Sequence, residues 1–380
     1  MKIVIDARLY GLENAGLGRY VMNLIRNLQN FDKDNEYVLI LRKKYYESLK
    51  LPKKWSKVLF DHRHYSFNEQ LLLPKLLKSI NPDLVHFPHF NVPVFYSGPF
   101  VVTIHDILMH RQSGLQATTL PAPIYFLKRF GYHRVFEYAV NASKAIVVPS
   151  KFVKSEIEKF YKLDEDKIKV TYEGFDEKIE NTISPDKVLK KYNIRKPYFI
   201  YAGNAYPHKN IARLIEAVVE LNKTKKDKVV LALVSARSVF LEKLEQLIKK
   251  HQAIPYIKPL GFVPDEDLGV LLSNSSGFTF PSLSEGFGLP GLEALSSKTL
   301  LLASDIPVFK EIYKDSATYF DPLDVNSIKE KLNSVLNLKE EERNKLVEKG
   351  IQFAKRYSWD KMARETLNVY KSCLGLRPGK

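Results

Sequence analysis

Two carboxylates spaced across a glycine-rich turn are the residues of this sequence best placed to do chemistry. Residues 284–294 read Ser-Glu-Gly-Phe-Gly-Leu-Pro-Gly-Leu-Glu-Ala. Gly286 and Gly288 can adopt positive φ and let backbone amides approach a ligand, and Pro290 suits the first turn of a helix. Because amides at the start of a helix carry partial positive charge, the segment predicts a phosphate-binding turn.

The two carboxylates border this predicted phosphate site from different sides. Glu293 falls about one turn inside the helix, while Glu285 lies in the loop before it. Two hydrogen-bond acceptors beside a phosphate indicate recognition of sugar hydroxyls. An ordinary strand-turn-helix junction with a solvated Glu293 is the alternative, and the local chemistry leaves both open.

A second loop, residues 201–210, also lies between a predicted strand and a predicted helix. Asn210 suits the cap position of that helix, and Lys209 stands at its entrance. A lysine there places a mobile positive charge where a diphosphate leaving group needs neutralising. A surface lysine at a helix end is the alternative.

The glycine-rich residues 11–20 follow the first predicted strand and lead into a helix. Gly16 and Gly18 can therefore bring the backbone close to a ligand. The segment is similar to a dinucleotide fingerprint, but its third glycine is missing. The strand after the helix ends in Arg42 and Lys43 and not in an acid for a ribose, which disfavours a nicotinamide enzyme.

His105 and Asp106 close a predicted strand on its carboxyl side. A histidine there can contact an acceptor hydroxyl or a sugar, or it can be a structural hydrogen-bond donor. Three further histidines lie near it in sequence, His86, His89 and His110. Their spacing matches no metal signature, so we predict no metal site.

Short β-branched and aromatic runs alternate with helical-period segments along the chain, which predicts parallel α/β sheets. A chain of 380 residues with 45% hydrophobic content exceeds the usual limit for one core, so two domains are expected. The predicted strands are residues 3–5, 37–41, 84–87, 101–104 and 145–148, then 198–201, 229–234, 277–280 and 300–303. A polar, turn-forming linker places the boundary near Asn181. Two terminal helices are expected over residues 338–355 and 359–374, with Ser358 as the cap of the second.

The composition favours a location in the cytoplasm. Cys373 is the only cysteine, which excludes an intrachain disulfide, and no signal-like opening or membrane-spanning apolar run is evident. The formal net charge of +16 attracts polyanions. Basic residues concentrate over residues 42–78, interleaved with Tyr45, Tyr46 and Trp55, which is compatible with peripheral docking on the inner face of a membrane. A solvated basic face with a buried amphipathic helix is the alternative.

Together these segments resemble the retaining glycosyltransferases of the GT-B fold, in the large fourth family, the group 1 transferases, which uses nucleotide-diphosphate sugars. The match includes the glycine-rich first loop and residues 103–106, 147–150, 174–176 and 207–210. It continues through residues 261–263, 285–293, 321–324 and 357–359. The paired glutamates are its most specific part.

The resemblance implies two doubly wound, Rossmann-like domains facing a central cleft. Residues 1–181 would bind the acceptor, with a helix over about residues 359–375 packing back onto them, and residues 182–358 would bind the nucleotide sugar. The catalytic residues would be His105, Lys209 and Glu285. Arg19, His105 and Asp106 would contact the acceptor. Donor contacts would come from Gly16, Gly18, Asn204, His208, Lys209, Phe262, Val263, Glu285, Gly286, Phe287, Gly288, Leu289 and Glu293.

By the same resemblance, Glu285 would hydrogen-bond the donor sugar and Glu293 the nucleotide ribose. Amides around Gly288 and Leu289 would hold the diphosphate, which Lys209 would stabilise as it departs. One departure from the family is His208, because many relatives carry an arginine just before the lysine. Other relatives place that arginine several residues earlier, where this chain has Asn204. The second departure is that Lys298 and Leu300 replace the glycine and proline that often follow the helix of the paired glutamates.

The implied reaction transfers a hexose of mannose or glucose type from a GDP- or UDP-linked donor to a saccharide or lipid-linked acceptor. The anomeric configuration would be retained, without metal or cofactor. We expect anionic membrane as a peripheral partner and no nucleic acid. Two alternatives are a hydrolysing sugar-nucleotide epimerase of the same fold and a non-catalytic binder of polyanions or saccharides.

Overall fold

The computed structural model describes residues 1–111, 121–175, 184–235 and 241–377. The chain divides into two compact units, one formed by Met1–Gly174 with Ser358–Lys380 and the other by Phe175–Tyr357. The predicted boundary near Asn181, and Asp176 of the 174–176 segment, lie outside the described residues.

The first unit is built on a parallel sheet with helices between its strands. Its strands are β1 (Lys2–Asp6), β2 (Glu36–Leu41), β3 (Trp55–Leu59), β4 (Leu84–Phe87), β5 (Phe100–Thr103), β6 (Ala145–Val148) and β7 (Ile168–Val170). Its first helices are α1 (Ala15–Phe31), α2 (Lys43–Ser48), α3 (Phe67–Ile80), α4 (Leu108–Arg111), α5 (Ala122–Ala142) and α6 (Lys151–Phe160). The seven strands lie in the order β3-β2-β1-β4-β5-β6-β7.

The second unit repeats this plan with six parallel strands. They are β8 (Tyr198–Ala202), β9 (Val230–Val234), β10 (Ile257–Gly261), β11 (Gly277–Phe280), β12 (Leu301–Ser304) and β13 (Ala317–Phe320), in the order β10-β9-β8-β11-β12-β13. Its helices are α7 (Pro185–Lys191), α8 (Ile211–Thr224), α9 (Leu241–Lys250), α10 (Asp265–Ser273), α11 (Leu289–Ser296), α12 (Pro307–Tyr313), α13 (Val325–Leu336) and α14 (Glu340–Ala354). The predicted α/β class with doubly wound sheets is confirmed in both units.

The strands missing from the sequence prediction are β3, β7, β10 and β13, and all four are sheet edges. An edge strand is half solvated, so it carries no continuous apolar run. Within β3, for example, only Trp55 is buried, and its ring stacks on Tyr37 at 4.1 Å between centroids. Trp55 is therefore part of the sheet, and the membrane docking predicted for residues 42–78 stays a prediction.

The last helix, α15 (Trp359–Cys373), belongs to the first unit, where it packs on α1. The Ser358 hydroxyl caps it by accepting from the Lys361 amide at 3.4 Å, as the sequence predicted. Inside the unit, the Tyr370 hydroxyl lies 2.6 Å from Nδ1 of the buried His86. Burial lowers the pKa of His86 to about 3, so its imidazole is neutral at pH 7.

A buried ion pair lies at the carboxyl end of β1. The Arg8 guanidinium donates to Asp6 and, at 2.6 Å, to Glu69 of α3, and the side chains of Arg8 and Glu69 are both 0% exposed. The second oxygen of Glu69 accepts from the Tyr65 amide at 2.6 Å. Glu69 therefore fixes the loop before α3 to the end of the central strand.

No helix within the described ranges is both long enough and apolar enough to cross a bilayer.

Candidate functional site

The sheet of the second unit reverses its strand order between β8 and β11. β9 and β10 extend it beyond β8, while β12 and β13 extend it beyond β11. Open parallel sheets bind ligands at the carboxyl ends of the strands beside such a reversal. The loops that follow β8 and β11 carry Lys209 and Glu285, so the predicted donor residues lie at this point.

Lys209 and Glu285 form a direct ion pair in this unit. The Lys209 ammonium nitrogen lies 2.5 Å from Oε1 of Glu285, and the two side chains are 18% and 14% exposed. The ammonium also lies 5.9 Å from the centre of the Phe280 ring. A charge pair this poorly solvated keeps most of its electrostatic strength, and the ammonium has two further N–H donors to offer a ligand.

The loop after β8 is shaped by the buried Tyr201. Its hydroxyl donates to the carbonyl of Asn204 at 2.8 Å, and burial raises its pKa well above the usual value, so it remains a donor. Gly203 has φ of 155°, and a Cβ there would lie 2.8 Å from that hydroxyl. The turn therefore depends on both residues.

Asn210 stands at the N-cap position, immediately before α8, but does not cap the helix with its side chain. Its backbone is left-handed, with φ of 56°. The side-chain amide donates to the carbonyl of Pro322 at 2.7 Å and its oxygen accepts from Arg213 at 2.9 Å. The predicted side-chain cap is wrong, because these two contacts use Asn210 to join α8 to the loop after β13.

The loop after β11 turns at Gly288 into α11, with Pro290 in the first turn as predicted. Gly288 is left-handed, with φ of 110°, and a Cβ there would overlap the Tyr313 hydroxyl. That hydroxyl donates to the Gly288 carbonyl. A Cβ at Gly291 would meet the same hydroxyl, so Tyr313 packs directly beneath the start of α11.

Four further predicted donor residues follow β10 and β11 in the same sheet. Glu293 is half-buried in the second turn of α11, and Phe287 is buried against Tyr357, with ring centroids 5.6 Å apart. Phe262 follows β10 and is 73% exposed, whereas Val263 is 5% exposed. Phe262 can offer a ring face to a ligand, while Phe287 and Val263 can contribute only backbone groups.

His208 is held as a neutral imidazole. Burial and the adjacent Lys209 charge lower its pKa to about 4, against an opposing effect of Glu285. Its carbonyl accepts from the Leu283 amide at 2.8 Å, which ties the Lys209 loop to the Glu285 loop. His208 therefore adds a hydrogen-bonding group to the site and not a second positive charge at pH 7.

In the first unit, the two glycines predicted near a ligand have different surroundings. A Cβ at Gly16 would stand in open space, with no atom within 4 Å. A Cβ at Gly18 would overlap the Gly11 carbonyl, so Gly18 is needed for packing of the loop on α1. Gly16 is exposed and Gly18 is buried. Only Gly16 has space for a ligand beside its backbone.

His105 follows β5 and makes hydrogen bonds through both ring nitrogens. Nδ1 lies 3.0 Å from a carboxylate oxygen of Glu173, and Nε2 lies 3.0 Å from the carbonyl of Pro88. The Tyr20 ring meets the imidazole edge-on at 4.7 Å. Both partners of the ring, a carboxylate oxygen and a backbone carbonyl, are hydrogen-bond acceptors. Acceptor contact through a nitrogen of His105 would need one of these bonds to open.

The other two predicted acceptor residues are Asp106, which follows His105 in the chain, and Arg19, which precedes the Tyr20 that contacts His105. Asp106 is exposed and accepts from the Leu108 amide at 2.9 Å. Arg19 is half-buried on the first turns of α1. Both are placed on loops or helix starts at the carboxyl edge of the first sheet.

Three residues that shape the site were missed by sequence reasoning: Tyr201, Tyr313 and Glu173. Tyr201 lies in an apolar strand run and Tyr313 between Ile312 and Lys314, and in neither place does the sequence show what the hydroxyl contacts. Glu173 immediately precedes the 174–176 segment, so it was the one of the three with a detectable position.

Within the residues that the structure describes, no group of three or more histidine, cysteine, aspartate and glutamate side chains could hold a metal ion. Positive charge beside Glu285 is supplied by the Lys209 ammonium, and α11 begins four residues after Glu285. A cation and helix amides suit a phosphate, and the carboxylates suit hydroxyl groups. The second unit can thus bind a phosphorylated sugar.

Two family models match the chain in succession. One, described as Glycosyltransferase Family 4, matches residues 15–178. The other, described as Glycosyl transferases group 1, matches residues 186–353. Together they take in most of both structural units.

Two curated relatives are both named as mannosyltransferases. The chain is 28% identical to O-antigen chain mannosyltransferase B of Escherichia coli, over 98% of this chain and 100% of the relative. It is 26% identical to the O-antigen chain mannosyltransferase RfbU of Salmonella typhimurium, over 78% of this chain and 76% of the relative.

Among solved structures, sucrose-phosphate synthase from Thermosynechococcus elongatus matches with a TM-score of 0.78 and 16% identity, over 99% of each chain. At that identity the likeness shows the fold alone, which is GT-B.

Proposed function

Because this chain belongs to the group 1 glycosyltransferases and has the GT-B fold, we propose that it transfers a hexose from a nucleotide-diphosphate sugar to a saccharide or lipid-linked acceptor. The observation that carries the proposal is the Lys209–Glu285 ion pair at the strand-order reversal of the second unit. It combines a phosphate-binding cation and a hydroxyl-binding carboxylate in one place.

The donor diphosphate would lie against the start of α11, with Lys209 neutralising it. Leu289 is the first residue of that helix, and amides at a helix start lack intrahelical partners. Glu285 would accept from a hydroxyl of the donor sugar, and Glu293 from the ribose. Phe262, with its exposed ring, is placed to stack on a nucleobase.

The reaction would proceed with retention and without a metal ion. The bond between the anomeric carbon and the phosphate oxygen breaks, and its electron pair stays on the diphosphate. The acceptor hydroxyl attacks from the same face as the leaving group, and its proton passes to a phosphate oxygen. Lys209 and the α11 amides would stabilise the charge that grows on the diphosphate, and such electrostatic stabilisation is commonly the largest contribution to catalysis.

Mannose is the sugar we propose, because both curated relatives described above are named as mannosyltransferases. Either GDP or UDP could carry it. The acceptor would bind to the first unit through Arg19, His105 and Asp106. A lipid-linked acceptor would bring the protein to a membrane, and the net charge of +16 favours an anionic one.

The test is turnover of a panel of GDP- and UDP-linked hexoses by the purified protein, with and without saccharide acceptors. We expect acceptor-dependent release of one nucleoside diphosphate. Lys209→Ala and Glu285→Gln should each lower turnover by roughly two to three orders of magnitude. Lys310→Ala, which removes an exposed ion pair with Asp305 in the same unit, is the matched control and should leave turnover unchanged.

Release of free nucleotide without any acceptor would indicate an epimerase instead. Saccharide or polyanion binding with no turnover of any donor would indicate a non-catalytic binder. Near-normal turnover in both site variants would refute the assigned site.

A further inference from the structure

The first half of α5 carries no buried residue. The buried side chains of this helix all follow Gly131 and are Tyr132, Phe136, Ala139 and Val140. Before Gly131, four large apolar side chains point into solvent. Ile124, Phe126, Leu127 and Phe130 are 47%, 60%, 73% and 65% exposed. Single exposed apolar side chains are ordinary, but four within two turns of one helix form a patch.

These four side chains lie on one side of α5. At about 100° per residue, they fall within an arc of about 160°, opposite the arc of the buried residues. Lys128 and Arg129 border the apolar arc on its two sides. Beyond Phe130 the same outward side becomes charged, with Arg134 paired to Glu137 at 3.5 Å. The apolar surface is therefore confined to the first half of the helix.

Two segments near α5 carry further exposed apolar side chains. The Met109 carbonyl accepts from Arg129 at 3.3 Å, and the Met109 side chain is 51% exposed. Phe160 is 52% exposed, and its ring lies 5.2 Å from that of His110. The large apolar side chains exposed in the described part of the second unit, such as Ile254 and Leu323, come from separate elements.

The positive charge around the patch favours an anionic partner. Residues 121–136 contain Lys128, Arg129 and Arg134 and no aspartate or glutamate. A second copy of the chain would bring like charges together, whereas an anionic surface complements them. Apolar side chains bordered by basic ones are the pattern of a helix that lies in a lipid interface.

We propose that the outward face of residues 122–131 docks on an anionic lipid bilayer. Phe126, Leu127 and Phe130 enter the boundary between headgroups and acyl chains, and Lys128 and Arg129 contact lipid phosphates. The proposal builds on the proposed transfer to a lipid-linked acceptor. It is separate from the membrane contact predicted for residues 42–78, which stays a prediction.

The test is co-sedimentation of the full chain with vesicles of phosphatidylcholine alone or with one quarter phosphatidylglycerol. We expect binding to the anionic vesicles that weakens in high salt. The double variant Phe126→Ser, Phe130→Ser should bind at least about tenfold more weakly, because each phenylalanine contributes apolar burial. Ile254→Ser, which changes an exposed apolar residue of the second unit, should bind as the unchanged protein does.

Donor turnover is measured with a water-soluble acceptor in the same preparations and should be equal in all three proteins. Absence of turnover in all of them would count against the proposed function, whatever the sedimentation shows. Equal vesicle binding by the double variant, or no binding by the unchanged chain, would overturn the docking proposal. So would a dimer in solution that the double variant dissociates, because the patch would then be a protein interface.

Discussion

The Tyr313 hydroxyl fills the space in which a side chain at Gly288 would stand. It donates to the Gly288 carbonyl, and it lies beneath the turn that starts α11. The conformation of the predicted phosphate-binding turn is therefore fixed from below by a buried tyrosine. Only glycine fits at position 288, both for its φ of 110° and for this contact.

Gly288→Ala should destabilise the protein and weaken nucleotide binding together. The alanine Cβ would overlap the Tyr313 hydroxyl and strain the backbone, so we expect a loss of more than about 1 kcal/mol in the free energy of unfolding. Denaturant titration measures it. Gly16→Ala is the control, because a Cβ there meets no atom within 4 Å and should leave stability unchanged. Equal stability of the two variants would contradict the packing described.

Glu173→Gln should weaken the hydrogen bond between residue 173 and the His105 ring. The neutral amide oxygen of glutamine accepts more weakly than a carboxylate, so the hydrogen bond to Nδ1 of the imidazole becomes weaker. We expect kcat to fall by about ten- to hundredfold, as for loss of a hydrogen bond to a charged group. Nitrogen NMR shifts of the His105 ring should change, which a loss of stability alone would not produce.

Four side chains contact His105 or interact with it electrostatically, and each can influence its ring shifts. They are Glu173, His86, His89 and Tyr20. Glu173→Asp keeps the charge and should restore part of the activity. Unchanged nitrogen shifts of the His105 ring in Glu173→Gln would show that the hydrogen bond to Glu173 does not determine the environment of Nδ1.

His208 should make the protein less stable at acidic pH. Its pKa is lowered to about 4 in the folded chain from an ordinary value near 6.5. Between these values the unfolded chain holds a proton on this residue that the folded chain does not, so the free energy of unfolding falls as pH falls from about 6.5 to 4. His208→Gln should reduce this loss, measured by thermal unfolding at pH 7 and pH 4.5. An equal loss in both proteins would contradict the burial of His208.

Glu69→Ala should be strongly destabilising. It leaves the buried Arg8 with one carboxylate and removes the acceptor of the Tyr65 amide. Breaking such a pair by removing one partner costs about 3–5 kcal/mol. Urea titration should show the loss, whereas Asp166→Ala, which removes an exposed ion pair with Lys169, should show none. A small effect at Glu69 would mean that water reaches the pair.

The sequence predicted the inner strands because they are buried on both faces and read as apolar runs, as in residues 145–148 of β6. It missed the edges, such as residues 257–261 of β10, where Lys258 and Pro259 interrupt the run. The predicted resemblance to group 1 glycosyltransferases is confirmed by the family models.

At the candidate site, the sequence indicated the glycines and the charged residues, because each of these residue types is informative by itself at the start of a helix. Glu285 and Lys209 were singled out separately, but their contact joins residues that are far apart in sequence. The buried hydroxyls of Tyr201 and Tyr313 were invisible for a similar reason, since only the folded chain shows which carbonyl each one reaches.

The binding of a nucleoside diphosphate, compared with its nucleoside, tests the central claim most directly. Calorimetric titration of GDP and UDP, and of guanosine and uridine, is made with the unchanged protein and with Lys209→Met. We predict that one diphosphate binds and that Lys209→Met weakens it by about tenfold or more, while the affinity of the nucleoside is unchanged. Equal affinity of Lys209→Met and the unchanged protein for the diphosphate would contradict the account.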